Sequence, residues 1–353
     1  MALHWTRDTC HLGGLDMIDS SAFITVGESQ KYLANVAAGR SPGAEYAVLR
    51  HGHFSSVLAM VDEPRPAGTD LNYWGFALRA YRATWGLRNI YLGEEFPGIQ
   101  YLAVHAVMRR QKRIAMLIHN VASLRRRLPL ATLGLARLLD HALCLSEESR
   151  RELEQRYRIP SQRITVIGSR VDTDFFMPDA QAIVARQVCS AGAVNRDYRL
   201  LVEAVRPLRV PTKIAADTAW RHSTNDTRLE SLPDFVDMRS WGSYENLRKL
   251  YAESAVVVVP LERAMMSGVT VALEAMAMGR PVILTRNAYV EEFLRDGVHG
   301  FFVESGDVSG LRSKIEYLLD HPDEANRMGE RARQWVLERY TVDAYVKKIL
   351  SVW

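Results

Sequence analysis

Short apolar strands that alternate with helical stretches run through most of the chain and constrain its fold more than any other feature. The clearest predicted strands lie at 22–26, 89–92, 113–118, 142–145, 255–260 and 281–284. Strands of this kind, joined by helices, indicate parallel sheets that are covered on both faces. Because a single core rarely grows to 353 residues, we expect two Rossmann-like, doubly wound α/β domains that face each other across a cleft.

The chain divides into two domains where the strand–helix pattern restarts. We assign residues 1–175 to an N-terminal domain, 176–340 to a C-terminal domain and 341–353 to a closing helix. The first twenty residues show no clear periodicity and are not assigned an element. Two such domains in series bind ligands at the carboxyl ends of their strands. Neither domain opens with GxGxxG, so nothing points to a dinucleotide dehydrogenase.

Four local assignments are specific enough to be checked one by one. We predict a strand at 47–49, a long helix that begins near Leu130 and a helix at 290–295. We also predict that Ser146 is the N-cap of a helix running from about Ser149 to Tyr157, because a serine just before a helical stretch is a typical start signal.

Composition excludes several classes of protein. Hydrophobic residues make up 48% and charged residues 24%, which is typical of a folded protein rather than a disordered or collagen-like one. No run of apolar residues is long enough to span a membrane, and the amino terminus lacks a secretory apolar core. The three cysteines, Cys10, Cys144 and Cys189, are far apart, which argues against a disulfide framework or a zinc site. We therefore expect a cytoplasmic location.

Basic residues are concentrated in the N-terminal part of the chain. Residues 1–175 contain 22 Lys and Arg against 17 Asp and Glu, with runs at 109–113 and 125–127. One interpretation is a solvated helix face and a loop. The other is contact with an anionic partner, such as a phosphate-bearing substrate or the inner face of a membrane, to which the protein would bind peripherally. Nucleic acid is not expected, because no aromatic residues are interleaved with the runs.

The segment from Glu274 to Thr285, EAMAMGRPVILT, carries the most specific motif of the sequence. It resembles a signature of nucleotide-sugar glycosyltransferases with the GT-B fold, and most of all the retaining family 4, or group 1, enzymes. The segments 247–260, 292–303 and 167–172 are similar to neighbouring blocks of that family. The resemblance implies transfer of a hexosyl group from a UDP- or GDP-sugar to an acceptor hydroxyl, with retention of anomeric configuration.

Such a transfer sets few physical requirements. The ribose must be held, the charge that develops on the departing diphosphate must be stabilised, and water must be kept out. The family needs no metal ion, because side chains and helix N-termini supply the positive charge. The sequence likewise shows no carboxylates clustered with metal-ligand spacing. We expect no cofactor beyond the nucleotide sugar, which is a co-substrate.

Glu274 is the residue for which the resemblance implies the clearest role, hydrogen bonding to the ribose hydroxyls. A carboxylate only accepts, so it suits a pair of hydroxyl donors; the alternative is a glutamate paired within its own domain. The family's other glutamate, eight residues earlier, is replaced here by Met266, which leaves the donor sugar open. Ser267 and Gly268 precede the helix, so backbone N–H groups up to Val269 and Thr270 are candidates to bind a sugar hydroxyl or phosphate.

Arg196 stands where the resembling family has a lysine for the diphosphate, shortly after Gly192. An arginine binds phosphate through a bidentate fork, so the role can survive this exchange. The family's arginine directly after that glycine is Ala193 here. Our hypothesis is that Arg170 or Arg263 supplies the missing positive charge, with a solvent-facing arginine as the alternative in each case.

His119 ends the apolar strand 113–118, and the resemblance implies that it contacts the donor sugar. It would orient a hydroxyl or relay a proton there. His51 and His53, which follow the predicted strand 47–49, are further candidates on the acceptor side. Glu94 and Glu95, also at a strand end, could hold acceptor hydroxyls; the alternative is a pair of surface carboxylates.

Two other functions compatible with the same fold stay open. A nucleotide-sugar 2-epimerase would need acidic groups at the sugar C2 and C3, which the sequence does not identify. A non-catalytic sugar-nucleotide-binding partner protein is favoured by Met266 and Ala193, which replace family residues.

Overall fold

The structure, a computed structural model, describes residues 18–49, 53–60, 73–108, 110–119, 128–216 and 232–353. Within these ranges the chain forms two compact units. The first takes the described residues up to Ala38, Gly43–Gly168 and Asp343–Trp353, and the second takes Gly39–Pro42 and Ser169–Val342. The division thus falls near Gly168, and the last eleven residues belong to the first unit. Among the described residues, no helix has both the length and the apolar character needed to cross a bilayer.

The first unit is built on a six-stranded parallel sheet in the order β2-β1-β3-β4-β5-β6. Its strands are β1 Ile18–Thr25, β2 Phe54–Ala59, β3 Asn89–Leu92, β4 Arg113–Leu117, β5 His141–Cys144 and β6 Ile164–Val166. The central strands are apolar on both faces because helices cover both sides; Ile90 and Leu92 of β3 and Ile114 of β4 are fully buried.

The helices of the first unit follow the strands in alternation. They are α1 Gln30–Ala37, α2 Glu45–Leu49, α3 Tyr73–Ala83, α4 Glu95–Met108 and α5 Glu147–Tyr157, with α11 Val342–Leu350 at the end of the chain. The Oγ atom of Ser146 accepts a hydrogen bond of 3.1 Å from the backbone N–H of Ser149. The predicted N-cap of α5 is therefore confirmed.

The second unit contains another six-stranded parallel sheet, in the order β12-β11-β10-β7-β8-β9. Its strands are β7 Ala185–Ala191, β8 Thr212–Ala215, β9 Val236–Arg239, β10 Ser254–Val259, β11 Val282–Thr285 and β12 Gly300–Val303. Its helices are α6 Tyr198–Val205, α7 Tyr244–Glu253, α8 Val269–Ala277, α9 Val308–Asp320 and α10 Pro322–Arg339. Two parallel sheets with helices around them confirm the α/β, doubly wound fold class.

Three local predictions are wrong. Residues 47–49 lie in α2. The strand of this region is β2, which begins at Phe54 and pairs with β1 through Phe54 and Ile18. A three-residue apolar run has no period by which to tell strand from helix. The predicted long helix near Leu130 is two short turns, Leu128–Thr132 and Leu135–Leu138, because Gly134 between them has a left-handed φ of 70°.

The predicted helix at 290–295 is a single 3₁₀ turn, Glu291–Phe293. Leu294 is already extended, and the following Asp296 accepts a hydrogen bond from the backbone N–H of Phe302 at 2.8 Å. This contact ties the segment to β12, so the chain cannot continue as a helix.

The strand order reverses at one point in each sheet. In the first sheet the reversal lies between β1 and β3, and in the second between β7 and β10. The connections that leave these two strands go to opposite sides, which opens a crevice at their carboxyl ends. Each unit therefore has one place where its topology favours a ligand.

Candidate functional site

The loop after β7, from Gly192 to Asp197, lies at the reversal point of the second sheet. Gly192 has a left-handed φ of 109°, and a Cβ atom there would come within 2.4 Å of the Arg196 Nη2 atom. The tight fold of this loop around the guanidinium group therefore requires glycine at this position.

Arg196 is buried in this loop, with 6% of its surface exposed. Its Nε donates to the Ala191 carbonyl at 2.9 Å, and its Nη1 donates to the Val194 carbonyl at 2.8 Å and to Ser267 Oγ at 3.2 Å. Burial lowers the pKa of the guanidinium, although arginine keeps its charge in proteins. The structure thus holds a fixed positive charge at the crevice and connects it to the loop before α8.

Asn195 joins the loop after β7 to the loop after β10, a contact that the sequence analysis did not foresee. Its side-chain amide donates to the Arg263 carbonyl at 2.9 Å and accepts from the Arg263 backbone N–H at 3.0 Å. Asn195 is buried and has a left-handed φ of 57°, which asparagine tolerates better than most residues. The two loops that flank the reversal point are therefore held in register.

The amino terminus of α8 faces the same loops. Gly268 has a φ of 83°, and a Cβ atom there would lie 2.8 Å from Val259 Cγ1. No side chain caps this helix, so its first N–H groups and the positive end of its dipole depend on other partners. Ser267 is half-buried beside Arg196, Val269 is buried and Thr270 is exposed.

Glu274 lies on α8, five residues after Val269, the first residue of the helix, and is 5% exposed. Tyr251 OH donates to its Oε2 atom at 3.0 Å. Burial raises the pKa of the Glu274 carboxyl to about 8, against the hydrogen bond from Tyr251 and the charge of Arg196, which both lower it. Tyr251, at the end of α7, is a site residue that the sequence analysis missed.

Glu274 should make the stability of the protein depend on pH. A carboxyl whose pKa rises on folding binds its proton more tightly in the native state than in the unfolded chain. Between the ordinary value of 4.5 and the folded value of about 8, native stability therefore falls as the pH rises. Glu274→Gln has no charge to bury and keeps an oxygen that accepts from Tyr251.

We expect Glu274→Gln to melt at a higher temperature than the wild type at pH 8 and at nearly the same temperature at pH 4.5, the two ends of this window. Differential scanning calorimetry of both proteins across the window checks this. A difference in melting temperature that is the same at both ends would contradict the titration of Glu274.

The remaining candidates in the second unit, Arg263, Arg170 and Met266, differ in exposure and in contacts. The backbone of Arg263 is held by Asn195, but its side chain is exposed; Arg170 is half-buried. Met266 is half-buried and packs against the apolar core around α8, so its side chain contributes to packing. Of the arginines considered, Arg196 is the one whose guanidinium the loops enclose.

In the first unit, three predicted residues meet at the carboxyl edge of the sheet. His119 follows β4, Glu94 and Glu95 follow β3, and Thr25 ends β1. His119 Nδ1 lies 3.5 Å from Glu95 Oε2, and Thr25 Oγ1 donates to Glu94 Oε1 at 3.4 Å. The interpretation of Glu94 and Glu95 as a surface pair is wrong, since Glu95 is 3% exposed and Glu94 is half-buried.

His53 lies at the other end of the same sheet. It precedes β2, and its carbonyl accepts from the backbone N–H of Ile18, the first residue of β1, at 3.0 Å. Its position therefore differs from the predicted one, because the strand of this region follows the histidine instead of preceding it. Burial lowers the pKa of its imidazole. His51 lies outside the described residues.

The described part of the first basic run is engaged within the protein. The Arg110 guanidinium stacks over Trp85 at 4.0 Å, the Lys112 ammonium donates to the Leu87 carbonyl at 2.8 Å, and Arg113 lies over Trp353. Arg109 and residues 125–127 lie outside the described ranges. Over the residues that the structure describes, no three His, Cys, Asp or Glu side chains are grouped so that they could hold a metal ion.

Comparison with known proteins points to one family. Residues 227–335 match the family model described as "Glycosyl transferases group 1". The chain is 25% identical over 227 residues to the MMP alpha-(1->4)-mannosyltransferase of Mycolicibacterium hassiacum, a match that covers 62% of this chain and 54% of that protein. It is 31% identical over 112 residues to the N-acetyl-alpha-D-glucosaminyl L-malate synthase of Bacillus anthracis, covering 32% and 29%. The chain thus spans about half or less of these relatives.

Solved structures share the fold. A glycosyltransferase from Rickettsia africae superposes with a TM-score of 0.70 at 15% identity, covering 94% of this chain and 97% of the other. HepE of Anabaena, solved in complex with UDP, superposes with a TM-score of 0.70 at 16% identity, covering 94% and 98%. At this level of identity the likeness shows the fold. The matched segment, which contains the motif from Glu274 onward, is thus similar to group 1 glycosyltransferases, and the chain shares the GT-B fold of the solved structures.

Proposed function

We propose that the protein is a retaining glycosyltransferase that moves a hexosyl group from a UDP- or GDP-sugar to an acceptor hydroxyl. The observation that carries this proposal is the arrangement at the reversal point of the second sheet. There a buried arginine of the loop after β7 lies beside α8, which supplies both an uncapped amino terminus and a buried carboxylate. These groups match the needs of a nucleoside diphosphate, which has anionic phosphates and a ribose with two hydroxyl donors.

Each group has a distinct role in this proposal. Arg196 and the amino terminus of α8 bind the diphosphate and stabilise the charge that grows on it as the glycosidic bond breaks. Glu274 accepts from the ribose hydroxyls. In the first unit, His119 hydrogen-bonds a hydroxyl of the donor sugar or the acceptor. The departing phosphate itself can take the acceptor proton, so no strong enzymic base is required.

Relatives and neighbours support the choice of donor. The relatives include a GDP-mannose-dependent mannosyltransferase of Mycolicibacterium smegmatis, and the Anabaena neighbour was also solved with UDP-glucose. The direct test is incubation with UDP-glucose, UDP-N-acetylglucosamine and GDP-mannose, with release of nucleoside diphosphate and the fate of the sugar both measured. We expect slow release of free nucleotide from one donor, even without an acceptor. Tight binding with no turnover would contradict the proposal.

A second candidate function, a binding protein without catalysis, is favoured by one observation. Two of the Arg196 nitrogens already donate to backbone carbonyls, so part of its hydrogen-bonding capacity is used within the loop. This candidate predicts nucleotide affinity with no release of nucleoside diphosphate in the same assay. An epimerase would instead return an altered sugar nucleotide.

Independence from metal ions is a further expectation of the proposed chemistry. If Arg196 and the helix dipole of α8 balance the diphosphate charge, activity should persist in excess EDTA. The measurement is the initial rate of nucleotide release with and without chelator, after gel filtration in chelator-treated buffer. Complete loss of activity, restored by magnesium or manganese, would show that a cation carries the leaving-group charge.

A further inference from the structure

The reversal point of the first sheet carries polar groups from three neighbouring strands. β1, β3 and β4 lie side by side, and their carboxyl ends present Thr25, the pair Glu94 and Glu95, and His119. These ends are the place where a sheet of this order favours a ligand. The most specific contact among them is the one between Glu95 and His119.

The two partners differ sharply in exposure. The Glu95 side chain is 4% exposed, whereas that of His119 is 35% exposed, with 3.5 Å between Glu95 Oε2 and His119 Nδ1. The carboxylate is therefore held by the protein, while the imidazole reaches solvent. A buried carboxylate beside one ring nitrogen determines which nitrogen carries the proton and how the ring is turned.

The start of α4 keeps Glu95 in place. Gly98, which follows the non-helical Phe96 near the start of this helix, has so little space that a Cβ atom would lie 2.8 Å from Met116 Sδ of β4. Pro97 and Ile99 are buried on either side of it. The helix start is thus packed directly on the strand that leads to His119, so the distance between the two side chains is set by the core.

Among the described residues, Glu94 adjoins the pair and is itself influenced by Glu45 and Thr25. Burial raises the pKa of Glu94 to about 7, with Glu95 and Glu45 adding to the rise and His119 and Thr25 opposing it. Near neutral pH a proton on Glu94 relieves the repulsion between the adjacent carboxylates.

We propose that Glu95 is the positioning residue of His119. Its carboxylate accepts from Nδ1–H, holds the ring in that tautomer and leaves Nε2 to accept a hydrogen bond from the hydroxyl of the sugar or the acceptor. This role rests on the proposed function, in which His119 contacts that hydroxyl. It assigns to the buried carboxylate a part in the reaction although it does not itself touch the substrate.

The test compares three variants. Glu95→Gln keeps the shape but loses the charge, and Glu95→Asp keeps the charge with a shorter reach. Glu152→Gln is the matched control, because Glu152 is another buried carboxylate of the first unit and pairs with Arg156 at 2.9 Å, away from the reversal point. Loss of a positioned acid–base group costs about 10²–10⁴-fold in rate, and loss of its orientation alone should cost less.

We expect Glu95→Gln to lower kcat by roughly 10- to 100-fold with little change in donor KM, and Glu95→Asp to recover part of the loss. Glu152→Gln should keep kcat. Nitrogen-15 NMR of histidine-labelled protein, with His119→Gln to assign the signal, should show the Nδ1–H tautomer in the wild type and its loss in Glu95→Gln. An unchanged tautomer, or a kcat loss no greater than in the control, overturns the proposal.

Failure of the proposed function would look different. Nucleotide affinity depends on the second unit and should be the same in all three variants. If the wild type released no nucleotide from any donor, the glycosyltransferase proposal would fall, while the NMR comparison would still decide whether Glu95 sets the tautomer of His119.

Discussion

Replacing Arg196 with alanine is expected to lower kcat by about 10²–10³-fold, the cost of removing one preorganised donor to a developing negative charge. The guanidinium is buried and fixed by Ala191, Val194 and Ser267, so no reorganisation is needed when the diphosphate departs. Because this charge grows as the bond breaks, the rate constant should suffer more than ground-state binding. Arg196→Lys should recover part of the loss, since a lysine ammonium still supplies the charge.

A control is needed because Arg196→Ala also leaves the two loop carbonyls without their donor. Arg280 provides it: this arginine is similarly buried in the second unit and donates to the Ala252 carbonyl at 2.6 Å. Arg280→Ala should destabilise the fold and leave kcat nearly unchanged. Arg170→Ala and Arg263→Ala test the competing hypothesis. If kcat fell strongly in either of these variants while Arg196→Ala kept a kcat near that of the wild type, Arg196 would not be the main support of the leaving group.

Glu274→Ala is expected to weaken nucleotide binding by roughly 10- to 150-fold, which corresponds to about 1.5–3 kcal/mol for lost hydrogen bonds to a charged acceptor. The raised pKa of the Glu274 carboxyl, about 8, adds a second signature. Ribose hydroxyls that donate to the carboxylate would lower this pKa on binding, so nucleotide binding would release a proton. Wild-type affinity should therefore increase as the pH rises toward 8.

Isothermal titration calorimetry with UDP and GDP at several pH values measures both effects. Glu274→Gln should bind weakly and lose the pH dependence, because its amide does not titrate. Tyr251→Phe removes the hydroxyl that donates to Glu274 but keeps the carboxylate, so its loss of affinity should be smaller than that of Glu274→Ala. An unchanged affinity in a well-folded Glu274→Ala protein would contradict the ribose assignment.

Features that depend only on short stretches of chain were predictable from the sequence. Buried strands such as β4 and β10 are continuous apolar runs, and their alternation with helices predicted two parallel sheets, which the structure and its neighbours confirm. The N-cap at Ser146 was predictable for the same reason, since a cap involves only residues within one turn. The segment that begins at Glu274 predicted the similarity to group 1 glycosyltransferases that the family model also finds over residues 227–335.

Short or ambiguous segments were not predictable in this way. Residues 47–49 are apolar enough for a strand, but only pairing with β1 selects β2, Phe54–Ala59, as the strand of that region. Placing the strand there also moved His53 to the opposite end of the sheet from His119. Register and pairing depend on contacts between distant segments, which local propensity does not contain.

The contacts between the site residues depend on tertiary structure, because they link segments that are distant in the sequence. Tyr251 and Glu274 are 23 residues apart, and Asn195 and Arg263 are 68 residues apart. No periodicity links either pair; the order of the strands brings each pair together at one reversal point. The same holds for Glu95 and His119. The sequence placed each of them at the end of a strand but did not predict their contact. The local sequence identified candidate residues, and the burial that raises the pKa of Glu274 came from the packing of the helices around it.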